Sequence, residues 1–410
     1  MVIDTVIQKQ LNRFIDQLRD DGEIPTVLAL PGGTEVALGH SPTVLVRLNT
    51  WNAARHLINP TMETLGAAYV EGEIDIEGPI RDVIRVATSF ARAGDRNQGL
   101  GKLPEWIAKH SRRSDKQAIE YHYDVSNEFY SLWLDPSMVY SCAYFRDGDE
   151  DLATAQMRKL EHICRKLVIE PEMRMLDIGC GWGALAIHAA RHHGARVLGI
   201  TLSDNQYLLA TERVREAGLE DRIEIRIQDY RDVEPGAGFD RISSVGMFEH
   251  VGLKNLPEYF RVVHDLLKPG GVTLNHGITS VDVDNRSVGL GAGDFINRYV
   301  FPDGELPHVS LAIRELSAAG LELTDAESLR RHYARTLWAW SEAFEGNIEE
   351  LSRIAGERKT RIWRVYLAGC AQAFAYNWLN IYQLQAVRPK LEGSTMTSPL
   401  PMSRGYMYAR

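Results

Sequence analysis

Cys142 stands in "MVYSCAYF", residues 138–145, among aromatic and small residues. A thiol there could act as a nucleophile, a metal ligand, a disulfide partner or core filling. Further along, "LDIGCGWGALA" places Gly179, Gly181 and Gly183 between a strand-like and a helix-like run. Glycines let a backbone turn tightly and approach a ligand, and a helix N-terminus favours an anionic group. Glu249 and His250 follow a later strand-like run, and His276 ends the next one. Each has an ordinary structural reading: a carboxylate at a helix start, a satisfied histidine at a strand end.

Alternating segments must position these residues. "MRMLDIG", "ARVLGITLS", "RIEIRIQDY", "FDRISSVGMF" and "VTLNHGIT" read as strands, with helical runs such as "GALAIHAARHHG", "DNQYLLATERVREAG" and "NLPEYFRVVHDLLKPGG" interspersed. That succession predicts an α/β fold with a parallel sheet covered on both faces, and ligands bound beyond the C-terminal strand ends. Residues 1–110 read as a separate small α+β domain. It has a helix over 5–19, a hairpin around Pro31-Gly32-Gly33, a β segment in "GAAYVEGEIDIEGPI" and a helix in "IRDVIRVATSFARA". A linker over 111–118 and a second domain over 119–410 follow, and residues 340–390 read as mostly helical and aromatic-rich.

Bulk properties exclude several classes. Hydrophobic residues make up 44% and charged residues 25% of the 410-residue chain, enough for a large core. A net charge of −9 argues against a nucleic-acid partner. Locally, Arg92, Arg96, Lys102, Lys109, Arg112, Arg113 and Lys116 outnumber Asp95, Glu105 and Asp115, a balance of 7 − 3 = +4. With Trp106 and Ile107 among them, that stretch could touch an anionic membrane surface or be a solvated linker. The four cysteines form no Cys-x-x-Cys pair and have no histidines at zinc spacing along the chain, so neither a disulfide framework nor a metal site is expected. Reduced thiols, no apolar run of spanning length and no signal-peptide pattern predict a cytoplasmic protein.

The glycine loop admits two readings. Gly179-x-Gly181-x-x-Ala184 meets the dinucleotide fingerprint, and Asp204 lies where a ribose-binding acid is sought. Asp177-x-Gly179-x-Gly181-x-Gly183 instead resembles motif I of S-adenosylmethionine (SAM)-dependent methyltransferases, and "IQDY" resembles their adenine contact at Asp229. Eight motifs, the loop among them, decide between the two. "YHYDVSNEFY", "LDPSMVYSCAYF", "LDIGCGWG", "GITLSDNQ", "QDYRD", "SVGMFEHVG", "YVFPDGELP" and "HYARTLWAW" occur in this order. Together they resemble the cyclopropane-fatty-acid synthase family, which includes the mycolic-acid cyclopropane synthases, over residues 119–390; the small N-terminal domain is also typical of the bacterial fatty-acid members.

The resemblance implies a SAM-methyltransferase Rossmann-like doubly wound sheet. It also implies transfer of a methylene from SAM to a cis double bond of an acyl chain in an unsaturated membrane phospholipid, through a carbocation and a bicarbonate base. By that resemblance Cys142, Glu249, His276, Ile278 and Tyr333 form the base site, Ile278 through its backbone, while His250 and His332 are structural. Cofactor contacts are implied at Tyr140, Ser141, Gly179, Gly181, Gly183, Thr201, Leu202, Gln206, Gln228, Asp229 and Tyr230; Tyr140 and Tyr144 could wall the site. Trp182 shapes the loop, by packing or by contact. Relatives that stop at a methyl or methylene branch give an alternative outcome, and a lipid-binding scaffold with a dead methyltransferase domain a third. The resemblance further implies a homodimer, peripheral at the inner face of the membrane.

Overall fold

A computed structural model describes residues 2–20, 22–95, 125–284, 289–301 and 304–408. The linker expected at 111–118, and the basic stretch beyond Asp95, lie outside the described residues. Two compact units are present. The first comprises residues up to 95 together with 289–301 and 340–372; the second comprises 125–284, 304–339 and 373–408.

The first unit holds a four-stranded sheet in the order β2-β1-β3-β4, with β1 Thr26–Ala29, β2 Glu35–Ala37, β3 Val44–Leu48 and β4 Ile74–Glu77. β1 and β2 are the antiparallel pair of the hairpin expected at Pro31-Gly32-Gly33. Helices α1 Val2–Asp20 and α3 Ile80–Asp95 match the helical stripes. "GAAYV" does not match its β reading: it ends α2, Met62–Val70. A capping box started by Thr61 and Thr64 nucleates that helix, and Thr at both positions is an inconspicuous form of the signal. The aromatics Trp340, Phe344, Trp363 and Tyr366 are buried in this unit.

The second unit is built on a seven-stranded sheet in the order β10-β11-β9-β8-β5-β6-β7. Its strands are β5 Arg174–Ile178, β6 Arg196–Thr201, β7 Ile223–Ile227, β8 Phe239–Val245, β9 Leu267–Ser280, β10 Glu322–Ser328 and β11 Leu379–Val387. From β7 to β9 the pairs are parallel, as the βα alternation predicts. β11 runs antiparallel to β9, and β10 antiparallel to β11. β11 departs from the helical reading of 340–390. Gln383 and Gln385 are fully buried in it, so the polar–apolar alternation that marks a strand is lost. Helices α4 Leu152–Lys166, α5 Ala184–His193 and α6 Asp204–Glu216 precede or link the parallel strands.

β5 meets β6 on one side and β8 on the other, so the chain reverses its direction of winding there. The crevice beyond the C-terminal ends of β5 and β8 is where ligands bind in such sheets. One close approach fixes the geometry beyond β8. A Cβ on Gly277 of β9 would lie 2.1 Å from Cδ1 of Phe248, so the ring rests on bare backbone. Gly277→Ala should therefore cost about 1–3 kcal/mol through overpacking, read as a lowered urea midpoint. Adding Phe248→Leu should recover part of the loss; no loss in the single variant would show that the seating is loose.

Candidate active site

A pocket opens at those strand ends, lined by the β5–α5 loop, the ends of β6 and β7, the turn after β8 and residues 138–141. Among its walls are Tyr140, Ser141, Gly179, Gly181, Thr201, Leu202, Gln206, Gln228, Asp229 and Tyr230. Ten of the eleven cofactor positions implied by the sequence thus converge. Gly183 does not line the pocket: at φ +82° it starts α5, where an added Cβ would lie 3.4 Å from the Cβ of Ala210. Gly181, at φ +56°, leaves open the space a Cβ would fill. Asp204, the acid a dinucleotide reading needs, is exposed and outside the lining.

Local capping explains the placement. Ser203 caps α6 by accepting from the Gln206 amide, which brings Gln206 back to the end of β6. There the Thr201 hydroxyl donates to Gln206 Oε1 at 2.8 Å. Asp229 accepts from the Arg231 amide and guanidinium; a carboxylate has lone pairs for a further donor. Trp182 packs its ring 5.1 Å from Tyr130, donates Nε1 to Asn127 Oδ1 at 2.8 Å and lines the pocket.

Residues 138–141 are held by α4. Asp151 caps this helix through the Thr154 amide, and Arg165 and Lys166 occupy its last turn. One turn apart on its buried face, Gln156 donates to the carbonyls of Val139 and Ser141 at 3.2 and 2.9 Å, and Lys159 Nζ donates to Ser141 Oγ at 2.8 Å. Lys159 lines the pocket, and the sequence reading missed it. A signal existed: Gln156, Lys159 and Lys166 fall in phase with the apolar stripe Ala155, Leu160 and Ile163, and such polar residues are buried for a reason. Burial pushes Lys159 down to about 8, against the pull of Asp135, Cys142 and Asp177. Burial pushes Asp177 up to about 6, although Ser243 Oγ donates to it at 2.7 Å.

The five base-site positions are linked through hydrogen bonds and strand pairing. Phe248 and Glu249 lie in a short 3₁₀ turn after β8, and Glu249 Oε1 accepts from the Ile278 amide at 2.6 Å. The backbone N–H of Ile278, a position the resemblance assigns to the base site through its backbone, is thus engaged by Glu249. His276 lies two residues before Ile278 on β9, opposite Gln383 of β11, whose Nε2 sits 3.3 Å from His276 Nδ1. Ile278 pairs with Ile381, whose carbonyl accepts from Leu329 N at 2.9 Å. The Leu329 carbonyl accepts both the Tyr333 amide at 2.9 Å and the Cys142 thiol at 3.8 Å. Leu329 and Gln383 therefore join the set, as buried connectors that motif matching does not mark. Tyr333 packs its ring 4.7 Å from Phe374.

His332 is structural: its Nδ1 accepts from the Phe145 amide at 3.1 Å. Its ring stacks on Tyr144, which is sandwiched against His162 at 4.3 Å and lies outside the pocket lining, so Tyr144 does not wall it. His250, expected to be structural, lines the pocket. None of the five base-site residues lines the pocket itself, but Glu249 precedes the lining residue His250 and Cys142 follows the lining residue Ser141.

Burial dominates the cluster's electrostatics. It raises Glu249 to about 7, lowers His276 well below the usual imidazole range, and raises the Cys142 thiol far above the range in which thiolates form. Two buried polar atoms here lack hydrogen-bond partners: Glu249 Oε2 and His276 Nε2.

A doubly wound sheet with a glycine loop lining the crevice beyond its central strands fits a SAM-dependent methyltransferase, and the relatives select that class over the dinucleotide reading. The mycolic acid cyclopropane synthetase family model matches residues 110–384, and a domain of unknown function matches residues 14–97. The chain is 46% identical over 385 residues to a probable fatty acid methyltransferase of Pseudomonas putida, covering 94% of this chain and 96% of that one. It is 43% identical over 263 residues to the cyclopropane-fatty-acyl-phospholipid synthase of Escherichia coli K12, 64% of this chain and 65% of that one. A solved mycolic acid cyclopropane synthase, CmaA1, complexed with SAH and CTAB, superposes with a TM-score of 0.63 at 32% identity, over 66% of this chain and 98% of that one. This chain belongs to the mycolic acid cyclopropane synthetase family, enzymes that move a one-carbon unit from SAM to lipid acyl chains.

Glu249 should report its burial through pH. Its folded value near 7 stands above the ordinary 4.5, so the folded chain binds the extra proton between these values. Stability contributed by this group is full below about 4.5 and declines as pH rises toward 7. Glu249→Gln abolishes that decline. Its stability relative to wild type should rise across this window by up to about 3 kcal/mol, measured by urea unfolding at several pH values; parallel curves would contradict a buried neutral Glu249.

Proposed function

We propose that the enzyme transfers a methylene from SAM to the cis double bond of unsaturated phospholipid acyl chains, making cyclopropane rings. The observation that carries this reading is the pair of unpartnered buried atoms, Glu249 Oε2 and His276 Nε2, the carboxylate standing next in sequence to the pocket-lining His250. An alkene is a weak nucleophile, and its attack on an electrophilic methyl leaves a carbocation on the acyl chain. A buried carboxylate stabilises that charge, and exclusion of water keeps it from being trapped as an alcohol. Ring closure then requires a proton to leave the new methyl group.

The cluster suits a bicarbonate ion. The Gln383 Nε2 faces His276 Nδ1, and a neutral ring that accepts there carries its proton on Nε2, which would then be a free donor to the ion. Glu249, raised to about 7, is part-protonated at neutral pH and can donate as well as accept. Like-charge repulsion between carboxylate and anion is thereby relieved. When bound, bicarbonate supplies the proton acceptor and SAM the methyl group. Glu249 and His276 would hold the ion, with Tyr333 and the backbone beside Cys142 closing the site. Tyr140, Ser141, Thr201, Gln206 and Asp229 would hold SAM.

Cys142 has no nucleophilic step to perform, and its thiol, fully buried and donating to Leu329 O, is a packing and positioning group. The 46% identity to a protein named a probable fatty acid methyltransferase favours one second reading, a methyl- or methylene-branched product. We also propose that the chain docks peripherally on the bilayer that holds its substrate.

Incubation with SAM and unsaturated phospholipid vesicles, followed by proton NMR of the released fatty acids, should show cyclopropane ring hydrogens. Branched-chain signals without ring hydrogens would select the second reading, and unchanged fatty acids would reject both. Bicarbonate-free buffer should slow the wild type, and unchanged turnover would remove the ion from the reaction. Cys142→Ser should reduce turnover less than Glu249→Gln does. The reverse order, with fold and SAM binding intact, would give the thiol a chemical role.

A further inference from the structure

A second cluster lies on the far ends of α4 and α5. Glu161 and Cys164 sit one turn apart on α4; His188 and His193 sit on α5. Both imidazoles converge on one carboxylate oxygen: His188 Nε2 and His193 Nε2 lie 3.1 and 2.9 Å from Glu161 Oε2. One ligand atom each from Cys164, His188 and His193 can be chosen so that all lie within 4.8 Å of one another. His188 is 7% exposed, and its Nδ1 has no hydrogen-bond partner. The other carboxylate oxygen, Glu161 Oε1, accepts from Arg165 at 2.6 Å. A groove lined by Thr154, Met157, Arg158, His192 and His193 leads from solvent to the cluster.

We propose that Cys164, His188, His193 and Glu161 form a zinc-class metal site, separate from the methyl-transfer site, that ties α4 to α5. The donor set is one sulfur, two imidazoles and a carboxylate, which Zn²⁺ accepts in a closed tetrahedron. Donor atoms in such a site stand about 3.5 Å apart, so loading draws these side chains together by about 1 Å. Glu161 turns from bridging the imidazoles to ligating, and Arg165 orients it from outside, as outer partners do. The Cys164 thiol is buried. Coordination breaks the S–H bond, forms the metal–sulfur bond and releases one proton to solvent.

The site was not legible as a metal motif because its ligands come from two helices, with no short Cys–His spacing along the chain. Its position gives it a consequence. α4 grips Ser141 through Gln156 and Lys159, and α5 starts at the glycine loop, so the metal would brace two walls of the cofactor pocket.

The test uses the full chain, stripped with a chelator and titrated with Co²⁺ as a spectroscopic stand-in, then with Zn²⁺ against a competing chelator. One equivalent of Co²⁺ should give tetrahedral ligand-field bands and a thiolate-to-cobalt charge-transfer band. Cys164→Ser should lose the charge-transfer band, and His193→Gln should bind Zn²⁺ at least about tenfold more weakly. Near-ultraviolet circular dichroism checks the fold. If Cys164→Ser fails to fold, His193→Gln decides, since its side chain is on the groove and 18% exposed. Binding without a thiolate band in the wild type, or equal affinity in wild type and His193→Gln, would overturn the proposal.

Discussion

The site depends on the seating of Phe248 on Gly277. The ring fills the space a side chain at 277 would occupy, and the turn that carries Phe248 also carries Glu249. Seated there, Glu249 reaches the Ile278 amide of the same strand at 2.6 Å. Strand β9 presents His276 and Ile278 on one face and Gly277 on the other, because side chains alternate. A single strand thus supplies the rest for the ring, the amide that orients the carboxylate and the histidine beside it. A bulkier residue at 277 would displace all three relations together.

The antiparallel edge of the sheet extends this arrangement. β11 lies between β9 and β10, and through it the base cluster gains Gln383, the Leu329 carbonyl and, by way of that carbonyl, Cys142 and Tyr333. A purely parallel sheet ending at β9 would leave His276 at an edge, exposed to water. Adding β11 buries it and supplies its amide partner. The same burial sets the proton affinities, since desolvation is the largest cause at Glu249, His276, Lys159 and Asp177 alike.

What was legible in the sequence follows from how local each signal is. The glycine loop and the strand ends at Thr201 and Gln228 are set by neighbours within a few residues, and motif reading places them in one pocket. β11 was hidden because its polar side chains are buried in pairing and packing, which erases the period-2 pattern. "GAAYV" was misread because its capping box uses Thr where Glu or Gln is the familiar sign. Lys159 and the Cys164–His188–His193 group were missed for a third reason. Their partners are distant in sequence, and only the packing of α4 on the loop and on α5 reveals what each side chain faces.

The charges around the cofactor pocket explain why a buried lysine is tolerated beside a site for a cation. Lys159, Asp135 and Asp177 are all buried, and burial disfavours the charged form of each, lowering the lysine and raising both acids. A sulfonium placed among them acts on all three in one sense, lowering the proton affinity of ammonium and carboxyl groups alike. The acids then become charged partners of the cation, and the lysine moves toward its neutral form. Neutral Lys159 still reaches Ser141 Oγ, since the hydroxyl is donor and acceptor both, so the grip of α4 on the loop survives the change of charge. An arginine in the same place would keep its proton and repel the cofactor. Lysine therefore meets both demands on this wall: it ties down the loop, and unlike arginine it can give up its proton when a cation enters.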